Sequence, residues 1–209
     1  MTEHLAFGPL TIAFDERVLR PRPWTLAQSE WAADLSVTAP GGPVLELCSG
    51  AGHIGLAAVV TSGRRLVCVD ANPVACDYAR VNAGAAGMED RVEVREARLE
   101  SALEPDERFP VIIADPPWVP GALTSQFPED PLSAIDGGHD GLDVARACLD
   151  VVDAHLADGG VAVLQLGTEA QADALGDHVG FSEGRLKMGE VQQHERGVLV
   201  RIDRPTAAG

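Results

Sequence analysis

The sequence predicts an α/β fold, a mainly parallel sheet covered by helices on both faces, and three observations carry that prediction. From residue 43 onward, short apolar or β-branched runs alternate with amphipathic stretches, and a glycine-rich turn follows the first of these runs. The last two runs lie too close together for a helical crossover, so the sheet is expected to end in an antiparallel hairpin. A chain of 209 residues with 45% hydrophobic content is sized for one core, and one main domain is expected.

Residues 1–40 precede this alternation and read as an N-terminal ribbon and lid helix packed on the core. Leu10–Phe14 and Arg17–Leu19 suit a two-stranded ribbon, and the stiff Pro21-Arg22-Pro23 leads into a helix. Thr25-Leu26-Ala27-Gln28 fits a capping box, in which threonine and glutamine side chains satisfy N–H groups at the helix start. This segment is expected to lid the sheet edge. Residues 41–204 form the main domain, with strands at Val44–Leu47, Leu66–Asp70, Val92–Arg95, Val111–Asp115 and Val161–Leu166. Asn72 as N-cap and Pro73 in the first turn open the clearest helix, whose Val74, Tyr78, Val81 and Ala85 are expected to face the sheet. Arg185–Val191 and Val198–Ile202, joined by the polar turn Gln192–Gly197, make the hairpin, and 205–209 read as a disordered tail.

Composition narrows the function. No apolar run approaches the roughly 20 residues that cross a bilayer, and MTEHLAFGPL lacks the features of a signal peptide, so a cytoplasmic protein without a membrane partner is expected. Cys48, Cys68, Cys76 and Cys148 show no CxxC pairing and the six histidines no ligand spacing, so no metal is expected. Sixteen basic against 32 acidic residues give a net charge of −16, which weighs against a nucleic-acid partner.

The run from Val44 to Gly55, VLELCSGAGHIG, is a strand, a glycine-rich turn and a helix start, a layout that lets a ligand lie close to backbone. As a bare pattern it also matches the dinucleotide fingerprint, with Asp70 as the acid ending the second strand, so an NAD-dependent oxidoreductase stays open. Glu46 favours a cationic ligand instead. A carboxylate repels a pyrophosphate, whereas it suits the ammonium and sulfonium of S-adenosylmethionine. Asp70 is placed to accept hydrogen bonds from ribose hydroxyls, and the expected cofactor residues are Glu46, Cys48, Gly50, Gly52, Asp70, Ala71 and Asp115.

Val111-Ile112-Ile113-Ala114-Asp115-Pro116-Pro117-Trp118 sets a carboxylate, two rigid prolines and an aromatic at the carboxyl end of the fourth strand, where open α/β sheets bind ligands. Asp115 and the Pro116 carbonyl can accept hydrogen bonds from a target N–H while Trp118 stacks on a flat acceptor. These three are the catalytic candidates for methyl transfer to a planar nitrogen.

Here the chain resembles the HemK type of methyltransferase, which modifies glutamine in peptide-chain release factors, and more broadly the amino-methyltransferases with (N/D)PP(Y/F/W). The likeness covers most of the chain: Leu19–Thr25 is similar to the family's PRP-containing segment, Glu46–Gly52 to its cofactor loop, and Asp70–Pro73 and Asp115–Trp118 follow in order. Gly137-Gly138-His139-Asp140-Gly141-Leu142-Asp143 looks like its glycine-rich segment before the helix preceding strand five. The resemblance implies a Rossmann-like, seven-stranded class I sheet, S-adenosylmethionine as cofactor, and a protein substrate such as a release factor.

Three departures stand out. Asp115 replaces the family's asparagine; an ionised aspartate only accepts hydrogen bonds, which suits an amine of a nucleobase or small molecule better than an amide. Arg98 stands where this fold commonly has an acid for the adenine amino group. The family's long N-terminal helical domain has no counterpart, which implies a different or smaller partner. The loop Val119–Asp136 is expected to shape acceptor specificity, with Glu129 and Asp130 hinting at a neutral or basic acceptor.

Overall fold

The computed structural model describes residues 1–206, so the last three residues of the expected tail lie outside the described part. Nine strands form a separate ribbon, β1 (Glu3–Phe7) with β2 (Leu10–Phe14), and one seven-stranded sheet. In chain order the sheet strands are β3 (Val44–Leu47), β4 (Leu66–Asp70), β5 (Val92–Glu96), β6 (Phe109–Ala114), β7 (Leu156–Leu166), β8 (Lys187–His194) and β9 (Gly197–Asp203). Their spatial order is β5-β4-β3-β6-β7-β9-β8, parallel from β5 to β7, with β9 antiparallel to both β7 and β8.

Helices α1 (Leu26–Ser36), α2 (His53–Val59) and α3 (Pro73–Ala85) cover one face. The short α4 (Leu132–Ile135) belongs to the loop after β6; α5 (Asp143–His155) and α6 (Glu169–Leu175) cover the other face, followed by the single-turn α7 (Val179–Ser182). Two apolar layers result, one including Leu45, Ile112, Leu149 and Leu164, the other including Val44, Leu56, Val111 and Val163. Strands buried on both faces read as continuous apolar runs, which is why Val111, Ile112 and Ile113 in β6 show no alternation.

Several expectations are corrected. The ribbon partner of β2 is β1, not Arg17–Leu19, because Gly8 (φ 54) supplies a two-residue hairpin turn between Phe7 and Leu10. The chain then bends where the Asp15 carboxylate accepts the Arg17 N–H at 3.0 Å. The capping box does not form: Thr25 Oγ1 donates back to the Arg22 carbonyl at 2.8 Å, and Gln28 turns inward. Helix α1 lies across the face of β6 and β7 rather than at an edge. In α3 the face turned to the sheet is Ala75, Cys76, Ala79, Asn82 and Ala83, while Val81 and Ala85 are exposed; small side chains allow close packing, and Asn82 has a hydrogen-bonding task that periodicity does not reveal. The final hairpin is tighter than expected, with His194 pairing directly with Gly197.

Candidate active site

Strands β4, β3 and β6 are neighbours at the centre of the sheet, so their carboxyl ends deliver Asp70, the glycine turn and Asp115 side by side. After β3 the chain passes through Cys48 (φ 55), Gly50 (φ 52) and Gly52 (φ 76), all left-handed. Glycine adopts this region freely, whereas Cys48 is strained by about 1 kcal/mol. No atom lies where a Cβ on Gly50 would stand, so bare backbone is open there; Gly52 packs against Ala79 of α3.

Asp70 braces the turn. Its Oδ2 accepts the Gly50 N–H at 2.7 Å and its Oδ1 the Asn72 N–H at 2.8 Å. Burial raises its pKa above the usual carboxylate value, and these backbone donors work against that rise. Asn72 caps α3 as expected, accepting the Val74 N–H at 3.0 Å, and the exposed Ala71 lies between the two.

Glu46 is engaged within the protein. It is 2% exposed, its Oε1 accepts the Gly55 N–H in the first turn of α2 at 2.9 Å, and the Cys68 thiol donates to Oε2 at 3.3 Å. Burial pushes its pKa to about 8, with the charges of Asp115 and Asp70 adding to the rise. A side chain on Gly55 would collide with this carboxyl group, so Glu46 and Gly55 form a matched pair beneath the turn.

Asp115 follows Ala114, which pairs with Leu47, and so stands next to Cys48. Among the described residues its carboxyl group has no hydrogen-bond or ion-pair partner, and burial alone pushes its pKa to about 7. The Pro116 carbonyl likewise accepts no hydrogen bond among the described residues. Two acceptors are thus left unused at one strand end. The Trp118 ring lies against Gly167 just beyond β7, where a Cβ would overlap it, and the Trp118 carbonyl accepts from Gln171 at 2.9 Å. The glycine-rich segment backs this loop: Gly137 N–H donates to Val119 at 2.9 Å, and Gly121 N–H donates to Gly138 at 2.7 Å.

Four supports were not legible in advance. Gln28, fully buried, donates from one nitrogen to the carbonyls of Ala114 at 2.9 Å and Val163 at 3.0 Å, fixing the peptide that precedes Asp115. Asn82 ties the ribbon to the glycine turn, donating to Ala13 at 3.0 Å and to Ala51 at 2.9 Å. The Arg22 guanidinium binds the Asp130 carboxylate and lies 5.6 Å from the Trp24 ring, so Asp130 faces a cation of its own chain rather than an acceptor. Gln171, on α6, completes the set. The only signal available was polarity at positions facing inward, and that becomes informative once the fold is known. Arg98 points to solvent with its side chain 80% exposed, near Glu100.

The strand order, with its antiparallel last strand, is that of the class I methyltransferase fold. A profile of the methyltransferase small domain matches residues 32–128, and within the class the chain is HemK-like. It is 32% identical over 163 residues to the release factor glutamine methyltransferase of Gloeobacter violaceus, covering 75% of this chain and 57% of that protein. It is 32% identical over 168 residues to the ribosomal protein uL3 glutamine methyltransferase of Burkholderia pseudomallei, covering 74% and 55%. The chain thus spans little more than half the length of these relatives. The ribosomal protein L11 methylase of Lactobacillus delbrueckii subsp. bulgaricus shares the fold, with a TM-score of 0.66 at 13% identity over 90% of this chain and 82% of that one. No helix of the described residues is long and apolar enough to cross a membrane.

Proposed function

We propose that this protein methylates the side-chain amide nitrogen of a glutamine in a protein substrate of the translation apparatus, such as a release factor or uL3. The observation that carries the reading is the pair of unused acceptors, the Asp115 carboxyl and the Pro116 carbonyl, beside the braced glycine turn. Both known relatives named above act on glutamine, which supports the same acceptor here.

The residues present suit the cofactor: open backbone at Gly50 accepts close approach, and Asp70 lies at the strand end where ribose hydroxyls bind. When bound, S-adenosylmethionine supplies an electrophilic methyl group on a positively charged sulfur. Asp115 and Pro116 would orient the acceptor nitrogen, and Trp118 would hold its flat group, so the protein contributes chiefly alignment. The nitrogen gives up one proton as it gains the methyl group.

A second reading, methylation of an exocyclic amine, is favoured by the carboxylate of Asp115, an acceptor-only group when ionised. The net charge of −16 argues against a nucleic acid as the carrier of that amine. The deciding experiment incubates the protein and radiolabelled cofactor with release factors, uL3 and free nucleosides. The expected result is a 14 Da gain on one glutamine (one CH₂). Label on nucleosides alone would replace the first reading with the second. Calorimetric titration with S-adenosylhomocysteine and with NAD, on wild type and Asp70→Ala, tests the cofactor in parallel.

A further inference from the structure

We propose that a small cleft at the carboxyl end of β7, beside Asp115, is a second acceptor subsite, one that binds a carboxylate carried by the protein substrate next to its target glutamine. This inference rests on the glutamine reading above and names a further group by which that substrate is chosen.

Register sets the cleft next to the prolyl loop. Ala114 of β6 pairs with Leu164 of β7, so Asp115 and Gln165 follow as the next residues on neighbouring strands, which lie about 5 Å apart. Further along, Gly167 packs against the Trp118 ring. On the other side of β7, Gln165 pairs with Leu199 of β9, and the hairpin tip brings His194 and Gly197 alongside. Trp24, just ahead of α1, completes the lining of a cleft of about 10 Å³, the space of a single oxygen atom or water.

That lining is a set of unused N–H donors. Gln165 is 5% exposed, yet its side-chain amide has no hydrogen-bond partner among the described residues and borders the cleft. A buried amide in this state is unfavourable until a ligand completes it. His194 adds Nε2, buried and likewise unpartnered among the described residues. Arg196, at the exposed mouth, lies 5.4 Å from the Trp24 ring, which Arg22 faces at 5.6 Å. Arg22 is matched by Asp130, whereas Arg196 has no ion pair among the described residues. No carboxylate lines the cleft, in a chain with 32 acidic residues against 16 basic ones.

A carboxylate meets every one of these groups. One oxygen enters and accepts from Gln165 and His194, while the other stays at the mouth and accepts from the Arg196 guanidinium. A peptide carbonyl brings one oxygen and no charge for Arg196, and a phosphate exceeds the space. One strand spacing from Asp115, the cleft is within reach of a side chain adjacent to the glutamine being methylated.

The test has two arms. In the first, the S-adenosylhomocysteine complex is titrated with N-acetylglutamate N-methylamide and with its neutral side-chain methyl ester, following the Gln165 amide by nitrogen-15 NMR. The carboxylate should bind about tenfold more tightly than the ester, and Arg196→Gln, an exposed position whose replacement leaves the core intact, should erase that preference. In the second, peptides spanning the target glutamine of a release factor or uL3 carry Glu, Gln or Ala at the flanking positions. Glu at one of these positions should lower KM about tenfold, an advantage lost in Arg196→Gln and in Gln165→Leu. Equal binding of acid and ester, equal KM across the peptides, or a preference that survives both variants overturns the inference and leaves glutamine methylation standing. If the acid is preferred but no peptide is methylated, the glutamine reading fails while the carboxylate subsite is upheld.

Discussion

Asp70 and Asp115 flank the glycine turn, one at the end of β4 and the other just past β6, on either side of β3. The same side chain is treated in opposite ways. Asp70 holds the N–H groups of Gly50 and Asn72, so the side proposed for the cofactor is fixed by the protein's own backbone before anything binds. Among the described residues the Asp115 carboxyl group and the Pro116 carbonyl next to it have no hydrogen-bond partner. A shared cofactor favours a preformed cradle. A varied set of acceptors favours hydrogen-bonding groups left open, which is where specificity is decided.

Substituting the two aspartates should separate these roles. Asp70→Ala removes one hydrogen bond from the turn and one from the start of α3 and frees the backbone of Gly50, and S-adenosylhomocysteine affinity is expected to fall by about 100-fold, measured calorimetrically. Asp115→Ala should leave that affinity within about threefold while methyl transfer falls by about 100-fold or more. Equal loss of cofactor binding in both variants would erase the distinction between a wired side and an open one.

The third carboxylate sharpens the contrast through stability. Glu46 is buried with its pKa raised to about 8, so its favourable contribution is fully present below about pH 4.5, where both folded and unfolded chains hold the proton. That contribution is lost as pH rises toward 8, because the folded state must give up a proton it holds more tightly than the unfolded chain does. Glu46→Gln keeps an oxygen for the Gly55 N–H and removes the ionisation. Urea unfolding should find it more stable than wild type by about 1–3 kcal/mol at pH 9 and nearly equal at pH 4. The reverse order would mean that Glu46 is held ionised by a partner.

How much of this was legible depends on which kind of information the residues carry. Runs such as Val44–Leu47 and Leu66–Asp70 announce buried parallel strands by composition, and both have those bounds in the structure. The rule that sites form at strand ends in an open α/β sheet singles out Asp70, Gly50, Asp115 and Trp118, and the structure brings Asp70, Gly50 and Asp115 to neighbouring strand ends. Gln28 was misread because a capping box and a buried amide look identical in sequence, and only the position of α1 across β6 and β7 tells them apart. The ribbon partner was misread because Gly8-Pro9 marks a turn as plainly as Asp15-Glu16-Arg17 does, and the register falls on the first. Arg22 with Asp130 is a contact across 108 positions, beyond any local signal.

That last pair carries the comparison to its smallest effect. Arg22 belongs to the segment that leads into α1, and Asp130 to the loop that follows Trp118, so their ion pair fastens that loop to the segment ahead of α1. The Asp130 carboxylate is only 7% exposed and the Arg22 side chain 24%, which lifts the pair above a freely solvated surface bridge. A double-mutant cycle with Arg22→Ala and Asp130→Ala should give a coupling of about 1 kcal/mol in unfolding free energy. The kinetic signature matters more than the stability. Because the pair touches the loop and neither Asp70 nor the glycine turn, each single variant should raise KM for the protein acceptor about three- to tenfold and leave S-adenosylhomocysteine affinity unchanged. A loss of cofactor affinity instead would mean that the two sides of the site are mechanically one, with α1, through Gln28 and the Ala114 carbonyl, as the member that joins them.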